Sequence, residues 1–291
     1  MLIMKTTLRI LLILSLPAFA QAQYLEAGIL IGGANYLGDL SNNSSTVYLG
    51  ETKLAYGAFA RYNLTDFWTV RLGLNAGKIA GQDANIKNDA YLRDRNLSFR
   101  TNITELALTG EYNILGYQPY GLYSPFSPYV FAGVAFTKFT PKARYQGNWV
   151  ALQPLGTEGQ GMPGFGSSYK KSTLSIPFGM GVKYALTDKL NVGLELGARR
   201  TFSDYLDDVS GSYVSYPELL AGSGPLAAAL GNRTGELKGG EPVIVSTGTQ
   251  RGDNAVTDWY FILGVTVSYN FLENGLMGNR QHSRGKKGCY D

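Results

Sequence analysis

The segment Trp259–Phe271, Trp-Tyr-Phe-Ile-Leu-Gly-Val-Thr-Val-Ser-Tyr-Asn-Phe, constrains the fold of this chain more than any other. Its odd positions are Trp259, Phe261, Leu263, Val265, Val267, Tyr269 and Phe271, apolar throughout and aromatic at both ends. Its even positions include Gly264, Thr266, Ser268 and Asn270, small or polar. A tilted strand of about 9–11 residues spans a bilayer, and its lipid face is apolar with aromatic girdles at the two interfaces. The segment has that form, which a strand half-buried in a water-soluble core does not need.

Seven further segments repeat the alternation: about 24–37, 54–64, 67–80, 99–115, 129–139, 173–186 and 190–202. Leu174, Ile176, Phe178, Met180, Val182, Tyr184 and Leu186 share one face, as do Trp68, Val70, Leu72 and Leu74. An even count lets the two ends meet antiparallel, leaving no open edge. The sequence therefore predicts an all-β fold, an eight-stranded antiparallel up-and-down transmembrane β-barrel, OmpA-like in size. The turns at 63–66 and 186–189 are short, whereas 40–52, 82–98, 140–172 and 203–257 are long. Such barrels keep short turns in the periplasm and long loops outside, which predicts periplasmic termini and a bacterial outer-membrane location. The connection 116–128 is long and aromatic for a periplasmic turn. Within 203–257, Leu219, Leu220 and an alanine run predict a short helix.

Residues 1–22 read as a signal peptide, with Lys5 and Arg9 before an apolar core and small residues at 18–22. The division is then 1–22 signal, 23–271 barrel and 272–291 a periplasmic C-terminal tail. Without Lys5 and Arg9 the balance is 24 basic against 22 acidic residues, too even to suggest nucleic-acid binding.

Eight strands enclose a bore that side chains fill. Its predicted inward residues include Arg61, Arg71, Glu105, Glu111, Lys183, Glu195 and Arg199. Charges held away from water must pair. These seven are read as a salt-bridged plug, with a proton or ion path as the other reading.

Catalytic chemistry is hard to assemble from this composition. The single histidine, His282, stands in a polar tail, and no Cys or His accompanies it at metal-ligand spacing. The expectation is a non-enzyme without cofactor or metal. Arg251-Gly252-Asp253 matches an integrin-adhesion tripeptide, but chance in a glycine-rich loop accounts for it. The tail gathers Arg280, His282, Arg284, Lys286, Lys287 and Cys289, the only cysteine. A lone thiol in an exported chain stays free or pairs with another molecule. The tail is predicted to be either a solvated end or a docking arm for a periplasmic partner. The candidate contacts are Cys289, Arg284, Lys286 and Lys287, with Tyr117 and Tyr120 of the neighbouring turn.

The stretch Tyr24-Leu25-Glu26-Ala27-Gly28 through Asn35-Tyr36-Leu37-Gly38-Asp39-Leu40 closely resembles the start of PorG-like proteins, small outer-membrane barrels of the type IX secretion system of the Bacteroidota. The resemblance continues through Ser127-Pro128-Tyr129-Val130-Phe131-Ala132-Gly133-Val134, Asp258-Trp259-Tyr260-Phe261 and the cysteine near the end. It differs at Tyr290-Asp291, where the family ending contains proline. The resemblance implies a non-catalytic barrel that anchors or positions the periplasmic ring of a PorK-like lipoprotein and a PorN-like protein, with Cys289 as a disulfide candidate. Tyr36 and Asp39 belong to the family pattern without an assigned role. The alternative is a generic OmpA-type barrel whose surface loops serve adhesion or ligand binding.

Overall fold

The computed structural model describes residues 24–41, 49–86, 89–119 and 124–271. Its strands are β1 (Tyr24–Leu37), β2 (Lys53–Asn63), β3 (Trp68–Gln82), β4 (Ser98–Asn113), β5 (Phe126–Tyr145), β6 (Asn148–Ala151), β7 (Ser172–Ala185), β8 (Leu190–Thr201) and β9 (Trp259–Phe271). Leaving aside the short β6, each strand pairs antiparallel with the next, and β1 with β9 closes the ring. The eight predicted segments are the eight barrel strands, with β1 and β9 bounded as expected.

Alternation sets the two faces. Val134 and Met180 are each 62% exposed, and Ile29, Leu72, Leu74, Leu106, Leu108, Leu263 and Val265 are also exposed. A continuous apolar surface of this extent would be untenable in water, and its place is the hydrocarbon core. Aromatic pairs border it. Trp68 lies 4.9 Å from Tyr112 and Tyr269 lies 5.1 Å from Phe271 at the short-turn end, while Trp259 meets Phe178 edge-on at 5.9 Å near the long loops. No helix among the described residues is long and apolar enough to cross a membrane.

Where β1 and β9 meet, the walls approach through glycine. A Cβ on Gly32 would fall 2.0 Å from the Leu263 carbonyl oxygen. That contact excludes any larger residue.

Two features correct the expected boundaries. The fifth strand was expected to end at Phe139, but β5 runs to Tyr145 and folds back into β6. Gln146 and Gly147 both have positive φ, 47° and 84°, as a tight two-residue hairpin turn requires. The long segment 203–257 holds two helices instead of one: α2 (Tyr216–Ser223) and α3 (Pro225–Gly231), each with proline in its first turn. A third short helix, α1 (Ala90–Arg95), lies in the 83–97 loop and is capped by Asp89, which accepts from the Leu92 amide at 3.2 Å.

The interior has three levels. Toward the long loops, Leu30, Ala34, Tyr36, Ile79, Phe99, Ile103, Phe139, Tyr260 and Ile262 pack with the loop residues Leu40, Leu97, Leu206 and Val209. The middle is charged. At the short-turn end Asn63, Thr69, Asn113, Asn191, Ser268 and Asn270 are buried with Tyr117.

Candidate functional site

The charged level is the densest polar cluster of the barrel. Arg61, on β2, is 1% exposed; its Nη1 donates to Glu26 Oε1 at 2.6 Å and its Nε to Glu111 Oε1 at 2.9 Å. Arg71 on β3 pairs with Glu195 on β8, and Tyr129 donates to Glu195 Oε2 at 2.7 Å. Lys183 Nζ on β7 reaches Glu111 Oε2 on β4 at 2.6 Å. Arg199 Nε meets Glu105 Oε2 at 3.2 Å, where Tyr260 also donates and Asn75 Nδ2 donates to Oε1 at 2.8 Å. The Arg61 and Arg71 guanidinium carbons each lie 4.3 Å from the centroid of the Phe59 ring.

These bonds join opposite walls across the bore. Four glutamates face three arginines and one lysine, so the cluster is neutral. A void of about 10 Å³ lined by Arg71, Asn75, Glu195 and Arg199 has room for one water. The structure thus places the seven sequence-predicted inward residues in two neighbouring clusters, Arg61, Arg71, Glu111, Lys183 and Glu195 in one and Glu105 with Arg199 in the other. Sequence reasoning missed Glu26, Tyr129 and Tyr260. The missed signal was plain: Glu26 occupies an even position of β1, the face that turns inward.

At the short-turn end the structure corrects one expected contact residue. Tyr117 is 1% exposed, and its hydroxyl hydrogen-bonds Asn191 Oδ1 at 2.7 Å. Its amide donates to the Asp66 carbonyl at 2.7 Å, and the Gln118 side chain bonds the Asp66 carboxylate. Tyr117 is therefore directed inward, and its ring closes the mouth instead of facing a partner. Tyr120, Arg284, Lys286, Lys287 and Cys289 lie outside the described residues, as do residues 1–22.

The opposite mouth is closed by a latch that gives Tyr36 and Asp39 a structural role. Tyr36 Oη lies 2.7 Å from Asp207 Oδ2 and 2.6 Å from Asp258 Oδ1. One phenolic proton cannot serve two carboxylates, so one of the acids carries a proton. Burial, the neighbouring Asp258 and Asp39 push the Asp207 carboxyl well above its ordinary value. Gly38 makes room for this contact, since a Cβ there would fall 2.0 Å from Tyr36 Oη. Asp39 accepts from the Asp253 amide at 3.1 Å, and burial raises its own carboxyl to about 6.

Arg251 is 3% exposed and donates to Glu158 Oε1 at 2.8 Å and to the Asp208 carbonyl at 2.7 Å. That burial removes it from any adhesion motif. Arg95 holds Asp83 through two bonds, 2.8 and 2.6 Å, and donates to the carbonyls of Asp39 and Arg251. Beside these residues a cleft of about 560 Å³ opens, lined in part by Leu37, Asp39, Tyr91, Arg95, Asp253 and Trp259. Among the described residues no group of three His, Cys, Asp or Glu side chains is arranged to hold a metal ion.

A closed eight-stranded barrel with an apolar belt, aromatic borders and a filled polar bore is a small transmembrane β-barrel of the outer-membrane type. The chain belongs to the family described as Domain of unknown function (DUF6089), whose profile matches residues 5–223. It is similar to Ail, the attachment invasion locus protein of Yersinia pestis, at 9% identity over 86% of this chain and 100% of that one, TM-score 0.40. It is similar to Neisserial surface protein A at 11% identity over 86% of this chain and 97% of that one, TM-score 0.40. The outer membrane protein OprG of Pseudomonas aeruginosa is similar at 14% identity, with the same coverage and TM-score. No curated protein matches the sequence. The barrel assignment stands on the chain's own strand pairing.

Proposed function

We propose that this barrel is a PorG-like, non-catalytic component that anchors or positions the periplasmic ring of a type IX secretion system at the outer membrane. The observation that carries the reading is where the chain leaves the barrel. Phe271, the last residue of β9, pairs with Leu25 near the start of β1, so β1 begins and β9 ends at the short-turn end. That is the end such barrels turn to the periplasm. The bore behind it is filled by a neutral network, which supports a scaffold more readily than a pore or an enzyme. On this reading Arg284, Lys286, Lys287 and Cys289, with Tyr120, meet a ring lipoprotein of the PorK-like class and a PorN-like protein, and Cys289 is able to link covalently.

The test compares tagged wild-type and Cys289→Ala protein purified from outer membranes on non-reducing gels with mass spectrometry. The expected result is a reducible adduct with a periplasmic lipoprotein that the variant lacks. Recovery of the barrel alone in both preparations refutes the anchoring role. The same partner recovered without a disulfide keeps the role and removes Cys289 from it. A second reading, a barrel whose loops capture a ligand, draws on the cleft of about 560 Å³ among the long loops. It predicts that deleting 272–291 leaves function intact.

A further inference from the structure

Charge is sorted unequally between the two sides of the barrel wall. The barrel strands contain four acidic residues, Glu26, Glu105, Glu111 and Glu195, and all four are buried in the bore. Arg61, Arg71, Lys183 and Arg199 balance them there. The remaining strand cations have no acidic counterpart in the wall, and most of them sit together. On three adjacent strands, Lys78 of β3, Arg100 of β4 and Lys138, Lys142 and Arg144 of β5 stand at positions alternating with buried Ile79, Phe99, Thr101, Phe139 and Ala143. They therefore face outward. None is paired with a carboxylate among the described residues.

Their height on the wall is fixed by strand register. Leu74, Leu106 and Phe136 are direct neighbours across the three strands and form the last wholly apolar row. Two residues further, about 7 Å along the strand, Thr104 stands beside Lys138. The next rows carry Lys78 beside Asn102, then Arg100 beside Lys142. The cations thus begin where the apolar rows end, on the side of the long loops. On β7, β8, β9 and β1 the same end carries Leu174, Ile176, Trp259 and Leu37, with Arg200 of β8 as its single outward cation, set 6.0 Å from the Trp259 ring.

Two details favour an external anion at a membrane surface. Arg100 and Lys142 are a direct cross-strand pair of like charge, an arrangement that costs stability when nothing offsets it. Over this pair the β6 hairpin lays Trp149, 44% exposed, with the Arg100 guanidinium carbon 3.9 Å from its ring centroid. Tryptophan is the side chain that settles at the headgroup level of a membrane. The occupant is set by position: the site is continuous with the lipid-facing belt, and what lies at that depth is a lipid headgroup.

We propose that the outer wall of β3, β4 and β5 is a binding site for the phosphate groups of anionic lipids in the leaflet on the long-loop side, of the diphosphorylated lipid A class. Lys78, Arg100, Lys138 and Lys142 supply the charge, and Asn102, Thr104 and Thr140 supply neutral hydrogen-bonding groups between them. The site rests on the transmembrane reading and, for the leaflet, on the orientation proposed above.

The test titrates the full mature protein, refolded in a zwitterionic detergent, with diphosphoryl lipid A and with its dephosphorylated form, counting bound lipid by native mass spectrometry. It compares wild type with Lys78→Gln/Arg100→Gln/Lys138→Gln/Lys142→Gln. Each cation near a membrane surface contributes about fivefold to binding of anionic lipid, so four acting independently would give several hundredfold; with phosphates shared between them the quadruple variant is expected to bind at least about tenfold more weakly. The dephosphorylated lipid is expected to show no such difference. Mobility on unboiled gels reports whether each protein is a folded barrel, and Lys138→Gln/Lys142→Gln replaces the quadruple variant if that one does not fold. Equal affinity in folded wild type and variant overturns the site, as does equal binding of dephosphorylated lipid. A wild type that forms no compact, heat-modifiable species overturns the membrane barrel itself, and the lipid site with it.

Discussion

Arg61 is the joint on which the bore depends, and Arg61→Met tests that dependence. The substitution keeps most of the side-chain volume and removes the charge. Two charge-assisted bonds are lost, at 2.6 Å to Glu26 and 2.9 Å to Glu111, together with a longer contact to Glu195 at 3.9 Å. Glu111 keeps Lys183 at 2.6 Å and Arg71 at 3.6 Å, but Glu26 loses its only ion-pair partner among the described residues. Breaking a buried pair from one side costs about 3–5 kcal/mol, mainly because the remaining charge is stranded. We therefore expect Arg61→Met to lose about 4 kcal/mol, within that range. Adding Glu26→Gln restores neutrality, and the double variant is expected to recover about 2 kcal/mol or more of that loss as coupling. The assay is urea unfolding of the protein in phosphatidylcholine vesicles, followed through the emission of Trp68, Trp149 and Trp259, all at the outer surface. A single variant costing under about 1 kcal/mol, with additive effects in the double, would mean that water screens the network and that the bore is not packed.

Three other perturbations probe the loops and the wall. Arg251→Ala removes the bonds to Glu158 and to the Asp208 carbonyl, so protease is expected to cut within 203–257 while the barrel still migrates as folded; an unchanged cleavage pattern would contradict a role for Arg251 in holding the loops. The loops should also loosen as pH rises: burial lifts Asp208 from 3.8 to about 6 and Asp204 to about 7, so the folded loops bind more protons than the unfolded chain across that window. Stability is then greatest below pH 4 and falls toward pH 7, by about 3 kcal/mol for the fully buried Asp208, and cleavage by a protease active at both values should be slower at pH 5 than at pH 8. Gly32→Val should prevent barrel closure by collision with the Leu263 carbonyl, whereas Gly110→Ala, with no atom within 4 Å of the new Cβ, should change stability by less than about 0.5 kcal/mol; heat-modifiable mobility and urea midpoints distinguish the two.

What the sequence revealed follows the bilayer. β9 and β1 were legible to the residue because lipid demands apolar side chains at every second position, and aromatic borders mark where the demand stops. β5 was cut short at Phe139 for the same reason. Beyond Phe136 its outward residues are Lys138, Thr140, Lys142 and Arg144, so the hydrophobic contrast vanishes while the hydrogen-bonded ladder to β4 continues to Lys142. Glu26 escaped notice because the neighbouring inward positions of β1, Gly28, Leu30, Gly32 and Ala34, are small or apolar and do not mark that face as polar. The loop latch was illegible for a different reason. Tyr36 meets Asp207 and Asp258 across 171 and 222 residues of chain, and no local period encodes such a contact.

The same contacts limit where function can reside. The bore is crossed by ion pairs, its long-loop mouth is sealed by apolar packing under Leu206 and Val209, and its short-turn mouth is stoppered by Tyr117. Opening such an interior means separating buried charges, at several kcal/mol for each broken pair. Substitutions in the bore are then expected to alter the amount of folded barrel and not the specificity of what it does. Substitutions on the outer surface should do the reverse, since Lys138 can be changed without stranding a buried charge. A loss-of-function phenotype that tracks protein abundance therefore belongs to the interior, and one that appears at normal abundance belongs to a face. Three faces are separable in this way: the short-turn end with the tail, the latched loops, and the basic wall of β3, β4 and β5.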